Sequence, residues 1–281
     1  FLVRYRKLLI VVVALQTAQT IAALSLPALN ADIIDRGVAT GDTGYIWTHG
    51  LVMLLVSVAQ IGFAIFAVYF GSKVAMAFGR DIRSALFNRV TEFSAREVTK
   101  FGPPSLITRV TNDVQQVQML VQMTCTLLIA APITAVGGLL MALREDAHLT
   151  LILAVGVPLL VVCLGTVIRK MLPTFRRMQE RIDDMNRVLR EQITGIRVVR
   201  AFVREPFETQ RFRTSNDQLT RVALRGGRLM ALMFPTVFLI VNFSSVAAVW
   251  LGASRVGSGE MKIGALIAFL SYLLQILMSV M

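Results

Sequence analysis

Cysteine and histidine, the residues most often used as nucleophiles and metal ligands, occur only twice each in this sequence, and neither pair has the spacing of a catalytic or metal site. The two cysteines, Cys125 and Cys163, both lie inside apolar runs, where a free cysteine packs as a small hydrophobic residue. The two histidines, His49 and His148, lie at the edges of such runs without a set of further ligands nearby. We therefore predict no catalytic residue, no bound metal ion and no disulfide framework.

A different group of polar side chains lies within the apolar runs, where binding rather than catalysis is the natural role. Polar groups are costly in hydrocarbon and tend to face a bundle interior or a water-filled path. Hydrogen bonds between helices would satisfy them equally well, and the sequence alone does not separate the two interpretations. The candidates that we select for a substrate cavity are Gln16, Gln60, Gln122, Thr126, Asn242 and Gln275.

Composition places these side chains in a membrane protein. Of the 281 residues, 55% are hydrophobic and only 16% are charged, a balance that is unusual for a soluble domain. The net charge of +12 does not indicate nucleic acid binding, because the basic residues flank the apolar runs, as membrane topology requires. The predicted surroundings are a lipid bilayer, and no nucleic acid partner is expected.

Six apolar runs are each long enough to cross a bilayer as a helix, which needs roughly 20 residues. The first is too long for the core of a signal peptide and has no cleavage-site pattern. The chain begins at Phe1 and stops within the sixth run, so we expect a piece of a longer protein. The runs cover 8–29, 46–70, 119–143, 147–168, 229–251 and 263–281.

The distribution of lysine and arginine predicts the orientation. Basic residues are concentrated before the first run, between the second and third runs, and most densely between the fourth and fifth. These segments are predicted to be cytoplasmic, together with the N-terminus. The opposite side carries only Arg36, Arg144, Arg255 and Lys262.

The segment 172–229 has apolar residues at helical spacing and charges on its other faces, which predicts two long amphipathic helices that turn near Pro206. An excursion of roughly 25 residues at about 1.5 Å per residue reaches about 35–40 Å below the membrane. In the other long connection, Gly102-Pro103-Pro104 is predicted to end a helix, and Ser105 to cap a short helix through Arg109.

Both excursions end in a segment that could dock on a partner. A helix around 105–109, held far from the bilayer, has little structural purpose alone, although an ordinary capped turn would have the same sequence. In 201–211, Phe202 and Phe207 have the character of interface anchors surrounded by charges. Packing of Phe202 inside the helical bundle is the alternative.

Three stretches carry a resemblance to a known family. They are 101–113 (FGPPSLITRVTND), 191–205 with Gln210-Arg211-Phe212, and 259–272 with KIGALIAF at its centre. In this order they make the whole chain resemble the transmembrane domain of ABC exporters of the multidrug and lipid-flippase type. One departure is that 102–105 has no acidic residue where that family often has one before its aliphatic pair.

The resemblance implies an all-α membrane fold with six transmembrane helices, long cytoplasmic extensions and two coupling helices, arranged as a domain-swapped dimer. A nucleotide-binding domain is expected after residue 281. The implied segments are helix 1 at 1–29, helix 2 at 46–101, coupling helix 1 at 103–110, helix 3 at 111–143, helix 4 at 147–203, coupling helix 2 at 204–214, helix 5 at 215–252 and the start of helix 6 at 263–281.

The same resemblance assigns coupling roles to eleven residues and places ATP and Mg²⁺ in the full-length protein only. The chain has no G-x-x-x-x-G-K-[ST] phosphate loop, so these residues alone are not expected to bind or hydrolyse ATP. The residues implied to contact the nucleotide-binding domain are Gly102, Ser105, Leu106, Thr108, Arg109, Asp113, Phe202, Arg204, Glu205, Phe207 and Glu208.

The function expected from the resemblance is export of amphipathic drugs, lipids or similar small molecules out of the cytoplasm by alternating access. The expected partners are the nucleotide-binding domain and a second half-transporter, identical or related, in a bacterial inner membrane. The alternative from the residues alone is a non-ABC channel or receptor whose cytoplasmic helical bundle docks another partner.

Overall fold

The computed structural model describes residues 2–280, and its regular structure within that range is helical throughout. Short 3₁₀ or π-helical stretches at Leu2–Tyr5, Ile33–Val38, Arg109–Asp113 and Thr124–Leu128 adjoin the α-helices. The α-helices are α1 Arg6–Asp32, α2 Thr43–Thr91, α3 Ala95–Phe101, α4 Pro103–Thr108, α5 Val114–Met123, α6 Ala130–Glu145, α7 Ala147–Ala201, α8 Glu205–Gly257 and α9 Ile263–Val280.

Six helical rods are long and apolar enough to cross a membrane, and this confirms an integral, multi-pass, all-helical protein. The third rod runs without a break from Pro103 to Glu145 and includes α4, α5 and α6. At about 1.5 Å per residue, the 55 residues of α7 extend for about 80 Å, whereas the hydrocarbon core is only about 30 Å thick. Most of such a helix must therefore lie outside the lipid.

The chain forms two compact units, and the long helices α7 and α8 contribute to both. The first unit contains the residues up to Leu153 together with those from Ser245 onward. The second unit is the segment Ala154–Ser244. It therefore consists of the greater part of α7, the turn after it and most of α8.

The first unit is held together by apolar contacts between α1, α2, the third rod and α9. Its core cluster contains Val12 of α1, Phe78 of α2 and Cys125 of the third rod, all buried. On α9, Tyr272 is fully buried, and its hydroxyl donates a hydrogen bond to the Leu24 carbonyl at 2.9 Å. The apolar run of α2 leaves Trp47 and many aliphatic side chains exposed, as expected of a surface that faces lipid.

One end of α9 is joined to α1 through a backbone contact. The N–H of Gly264 donates to Asp35 Oδ1 at 2.7 Å, so a carboxylate caps the first turn of α9. A β-carbon at position 264 would lie 2.4 Å from the Ala31 carbonyl oxygen. Only glycine therefore permits this approach of the two helices.

A buried ion pair fixes the corner between α6 and α7. Asp146 accepts hydrogen bonds from the backbone N–H groups of His148 at 2.7 Å and Leu149 at 2.9 Å, which makes it the N-cap of α7. Its other oxygen accepts from Arg255 Nε at 2.9 Å, near the end of α8. Burial opposes ionisation of Asp146, but these hydrogen bonds and the charge of Arg255 outweigh it and lower its pKa.

The second unit brings α7 and α8 together as antiparallel helices. Thr174 lies against Gly226, with 3.7 Å between its methyl group and the position of a β-carbon there. Closer to the turn, the Arg211 guanidinium pairs with Glu191. The apolar stripe on α7 is half-buried at Met185 but exposed at Ile193, so it reaches the surface as the helix approaches the turn.

The contact between Gly264 and Ala31 predicts opposite effects for two Gly→Ala changes. Gly264→Ala is expected to destabilise the protein by about 1–3 kcal/mol, because the added methyl group must displace backbone. Gly62→Ala is the control, since its β-carbon meets nothing within 4 Å and alanine favours the helix by up to about 1 kcal/mol. The measurement is the melting temperature in detergent, and equal shifts for both variants would contradict the described approach.

The capping ion pair predicts a pH-dependent loss of stability in Asp146→Asn. Because the folded-state pKa of Asp146 is lowered, its stabilising effect is complete above the ordinary aspartate pKa of about 3.9 and is lost as pH falls through the folded value. The variant is expected to melt below wild type at pH 7, with the gap closing below about pH 4.

Asp42→Asn serves as the control for this measurement. Asp42 caps α2 by accepting from the Tyr45 N–H at 3.0 Å, and within residues 2–280 no ion pair involves it. Asparagine is an equally good N-cap, so this variant is expected to melt close to wild type at both pH values. A gap of constant size for Asp146→Asn across pH would rule out the charge of Asp146 as its cause.

Candidate functional site

The first candidate docking surface is the α4 tip, which we define as residues 102–109. Gly102 has φ 76°, a left-handed conformation that suits glycine, and it ends α3 and precedes α4. Pro103 and Pro104 occupy the first two positions of α4, where a missing N–H costs no hydrogen bond. The prediction that Ser105 caps this helix is therefore wrong, because the proline pair moves the helix start back to Pro103.

The α4 tip rests on aromatic side chains from the preceding segment. Phe93 and Phe101 stack with ring centroids 5.8 Å apart, and the Arg109 guanidinium lies 5.6 Å from the centre of the Phe101 ring. Leu106 lines a small cavity of about 90 Å³ together with Phe93, Phe101 and residues at the end of α2. Leu106 and Arg109 thus hold the α4 tip against the end of α2, whereas Ile107 is 63% exposed.

A capping box separates α2 from α3 and gives the tip its orientation. Helix 2 was expected to continue from 46 to 101, but α2 ends at Thr91 and α3 begins after Ser94. The Ser94 side chain accepts from the Glu97 N–H, and Glu97 accepts in return from the Ser94 N–H at 2.8 Å. Hydrogen bonds from the Ser94 backbone and hydroxyl lower the pKa of Glu97.

Thr108 and Asp113 are both exposed but differ in their hydrogen bonds. Thr108 is exposed, and its hydroxyl donates to the Pro104 carbonyl at 3.0 Å within the same short helix. Asp113 is exposed at the end of the π-helical stretch that follows the tip. Gly102 and Ser105 are half-buried, so the solvent-facing side of the tip consists of Pro103 and Pro104 together with Ile107, Thr108 and Arg109.

The second candidate docking surface is the α7–α8 tip, residues 198–208. Here α7 ends at Ala201, the chain turns at 202–204, and α8 begins at Glu205. The expected separate helix at 204–214 is instead the first part of α8, and the turn precedes Pro206 because proline is accommodated in the first helical turn. Acidic residues in that turn, Glu205 and Glu208, complement the helix dipole.

Three large apolar side chains project from the α7–α8 tip. Phe202 is 73% exposed, Val203 75% and Phe207 60%. The alternative that Phe202 packs within a helical bundle therefore does not hold within the second unit. Phe202 and Phe207 line a shallow cavity of about 520 Å³ together with Arg204.

Glu208 forms an ion pair with Arg211, but one of its carboxylate oxygens receives no hydrogen bond in the second unit. Its Oε2 atom is buried and has no hydrogen-bond partner among the described residues. The nearest cation, Arg211 Nη1, is 3.6 Å away, and the other guanidinium nitrogen of Arg211 bonds to Glu191. A buried acceptor without a donor is costly, so Glu208 favours a partner that brings one.

The sequence prediction missed two exposed residues in these tips, Ile107 and Val203. Ile107 is separated from the inward-facing Leu106 by about 100° around the helix, and the sequence alone does not say which of the two adjacent residues is exposed. Val203 gave no signal in the sequence, because it adopts φ 52°, a left-handed conformation that β-branched residues rarely take.

The six polar residues proposed for a cavity do not form one site. Gln16 is buried and donates to the Cys125 carbonyl at 3.3 Å, and Gln122 donates to Ser72 Oγ at 3.4 Å. The Thr126 hydroxyl donates to the Gln122 carbonyl at 2.9 Å in its own helix. For these three residues the interpretation as internal hydrogen bonds is the better one.

Two of the remaining residues come together. Gln60 and Gln275 line one cleft in the first unit, beside Asn30 and Ser271, whereas Asn242 is exposed on α8 in the second unit. No group of three histidine, cysteine, aspartate or glutamate side chains in the described range is close enough to hold a metal ion. The arrangement is suited to binding and docking.

Comparison with known proteins gives one family match. A family model described as the ABC transporter transmembrane region matches residues 9–280. That match includes both tips and all six rods except the first residues of α1.

Similar proteins are bacterial. An uncharacterized ABC transporter ATP-binding protein of Mycobacterium tuberculosis is 51% identical over 277 residues, which is 99% of this chain and 48% of the relative. A similarly named protein of Bacillus subtilis is 29% identical over 97% of this chain and 48% of its own length. A multidrug efflux ATP-binding/permease protein of Mycobacterium bovis is 28% identical over 92% of this chain and 22% of its own length. The chain thus spans about half the length of the first two relatives.

The conformation of Val203 predicts that two Val→Gly changes have opposite effects. Val203→Gly is expected to stabilise the turn by about 1 kcal/mol, because glycine adopts positive φ without steric cost. Val198→Gly, also exposed but inside α7, is expected to destabilise by up to about 1 kcal/mol. Thermal unfolding in detergent distinguishes them, and destabilisation by both would show that Val203 is held by packing.

Proposed function

Because this chain belongs to the ABC transporter transmembrane region family, we propose that it is the membrane half of an ATP-driven exporter. The exporter moves amphipathic drugs, lipids or similar small molecules out of the cytoplasm by alternating access. The observation that carries this proposal is the family match over residues 9–280. The same match excludes a non-ABC channel or receptor.

ATP binding and hydrolysis by a nucleotide-binding domain, which residues 1–281 do not include, drive this exporter. The relatives are named ATP-binding proteins, and this chain accounts for only 48% of the length of the first of them. ATP and Mg²⁺ bind in that additional domain, and the full-length protein is the ATPase.

The α4 tip and the α7–α8 tip are the surfaces that receive this domain. The exposed side chains of Ile107, Phe202 and Phe207 provide the apolar centre of the contact, and charged residues surround them. Glu208 then obtains its missing donor from an arginine, a lysine or a backbone N–H of the nucleotide-binding domain. The remaining coupling residues are Gly102, Ser105, Leu106, Thr108, Arg109, Asp113, Arg204 and Glu205.

The transporter is a dimer of two such halves, identical or related. Residues 154–244 form a compact unit of their own, which supports an arrangement in which the fourth and fifth rods cross to the second subunit. Nucleotide binding biases the pair between an inward-facing and an outward-facing state, and substrate is transported because the two states bind it differently.

The location is a bacterial inner membrane with the N-terminus in the cytoplasm. The named relatives come from bacteria, and the asymmetry of lysine and arginine across the six rods supports this orientation. Drug export is one form of the activity, since one relative is named a multidrug efflux protein.

The test uses the full-length protein reconstituted into sealed lipid vesicles, because transport needs two separated compartments. Wild type is expected to hydrolyse ATP in a vanadate-sensitive manner, and Phe202→Ser is expected to lower ATP-driven transport at least tenfold because an anchor of the contact is lost. ATP binding by the nucleotide-binding domain is expected to remain unchanged in this variant.

Leu224→Ser is the matched control, because Leu224 is an exposed apolar residue of α8 that lies far from the tip along the chain. It is expected to transport like wild type. Full transport by Phe202→Ser would contradict the role of the α7–α8 tip. Absence of ATP hydrolysis in the wild-type protein would contradict the exporter itself.

A further inference from the structure

The cleft that contains Gln60 and Gln275 differs from the other polar positions in the first unit. Gln16 and Gln122 reach partners on neighbouring helices, so their amide groups are satisfied without a ligand. The side chains of Gln60 and Gln275 form no hydrogen bond with the described residues of the first unit, although they lie in membrane-spanning helices.

The cleft lies between α1, α2 and α9 and has a volume of about 360 Å³. Asn30 of α1, Gln60 of α2 and Gln275 of α9 each contribute a carboxamide to its wall. Leu26 and Met53 give it an apolar side. The lining therefore combines carboxamides with apolar side chains.

The three carboxamides in this cleft could form many hydrogen bonds that the described residues do not supply. Each carboxamide has two N–H donors and one acceptor oxygen, and none of the three is paired within the described part of the first unit. Pro27 also lines the cleft, and because proline has no N–H it leaves the carbonyl of Ala23 without its usual helical donor. Ser271 is different, since its hydroxyl already donates to the Ile267 carbonyl at 3.0 Å.

The lining contains no charged side chain. A charged group that enters hydrocarbon without a counter-charge or water bears a large desolvation cost, whereas a neutral polar group needs only hydrogen bonds. Carboxamides provide such hydrogen bonds in both directions. The wall thus offers hydrogen bonds to a ligand but no counter-charge to an ion.

We propose that this cleft is a binding site for an uncharged amphiphile whose head carries amide or hydroxyl groups. The head exchanges hydrogen bonds with Asn30, Gln60 and Gln275, and the hydrocarbon part lies along Leu26 and Met53. This inference rests on the proposed export function, for which it names the substrate class.

The test compares three probes with the same eight-carbon chain: octanoyl-N-methylglucamide, octyltrimethylammonium and octyl sulfate. Each is titrated below its micellar concentration into the full-length protein in nanodiscs, and binding is measured without ATP by calorimetry. The glucamide is expected to bind at least tenfold more tightly than either ion, and to stimulate ATP hydrolysis over the same concentration range.

Gln60→Leu and Gln275→Leu are each expected to weaken glucamide binding about threefold to tenfold, since each removes hydrogen bonds without emptying the space. Gln122→Leu is the matched control: it removes the same group from a membrane-spanning helix outside the cleft and is expected to leave glucamide binding unchanged. Melting temperatures show which variants remain folded.

Tighter binding of either ion would overturn the proposal, as would unchanged glucamide binding in both cleft variants or equal weakening in Gln122→Leu. If the cleft variants instead weaken only the association of the two half-transporters, the amides contact a second copy and the proposal is wrong. If the protein hydrolyses ATP in a vanadate-sensitive manner but does not prefer the glucamide, only the proposed binding site is wrong. If the glucamide binds but the protein hydrolyses no ATP, the proposed export function is wrong.

Discussion

Hydrocarbon offers the peptide backbone no hydrogen-bond partners, and the architecture of this protein follows from that constraint. Each crossing must be a helix, because only a helix satisfies its own N–H and C=O groups. A helix that continues past the lipid keeps the same internal bonds, but water competes for them there, so the 49 to 55 residues of α2, α7 and α8 also depend on packing against other helices. The two tips are the places where this continuity ends and where apolar side chains become available to a partner.

The features that depend on hydrophobicity and length could be predicted from the sequence. The six runs and the general location of both tips required only apolar stretches, basic flanks and helix-breaking residues. The family was identified separately, by the resemblance of the stretches 101–113, 191–205 and 259–272. The break between α2 and α3 was missed although the sequence contains its signal, since Ser94 and Glu97 have the spacing of a capping box. From the residue pattern alone the start of α4 was placed too late, with Ser105 as its cap, because a proline pair opens a helix as readily as it closes one.

The roles of the polar residues could not be predicted, for a physical reason. Gln16 is satisfied by a carbonyl that lies 109 residues away along the chain, and nothing near Gln16 in sequence indicates this. The same applies to Gln60 and Gln275, whose proximity arises only when α2 and α9 pack against α1. The left-handed conformation of Val203 could not be predicted from the sequence either, because valine itself disfavours it and the turn imposes it.

The contact between Gly264 and α1 has a mechanical consequence. With glycine at position 264 and the Asp35 carboxylate capping α9, the backbones of α1 and α9 approach closely at this end. Pulling the two ends apart would break the Asp35 hydrogen bond and open a void. Farther along the same two helices the Tyr272 hydroxyl bonds to the Leu24 carbonyl, so a force that separates α1 from α9 must break both contacts.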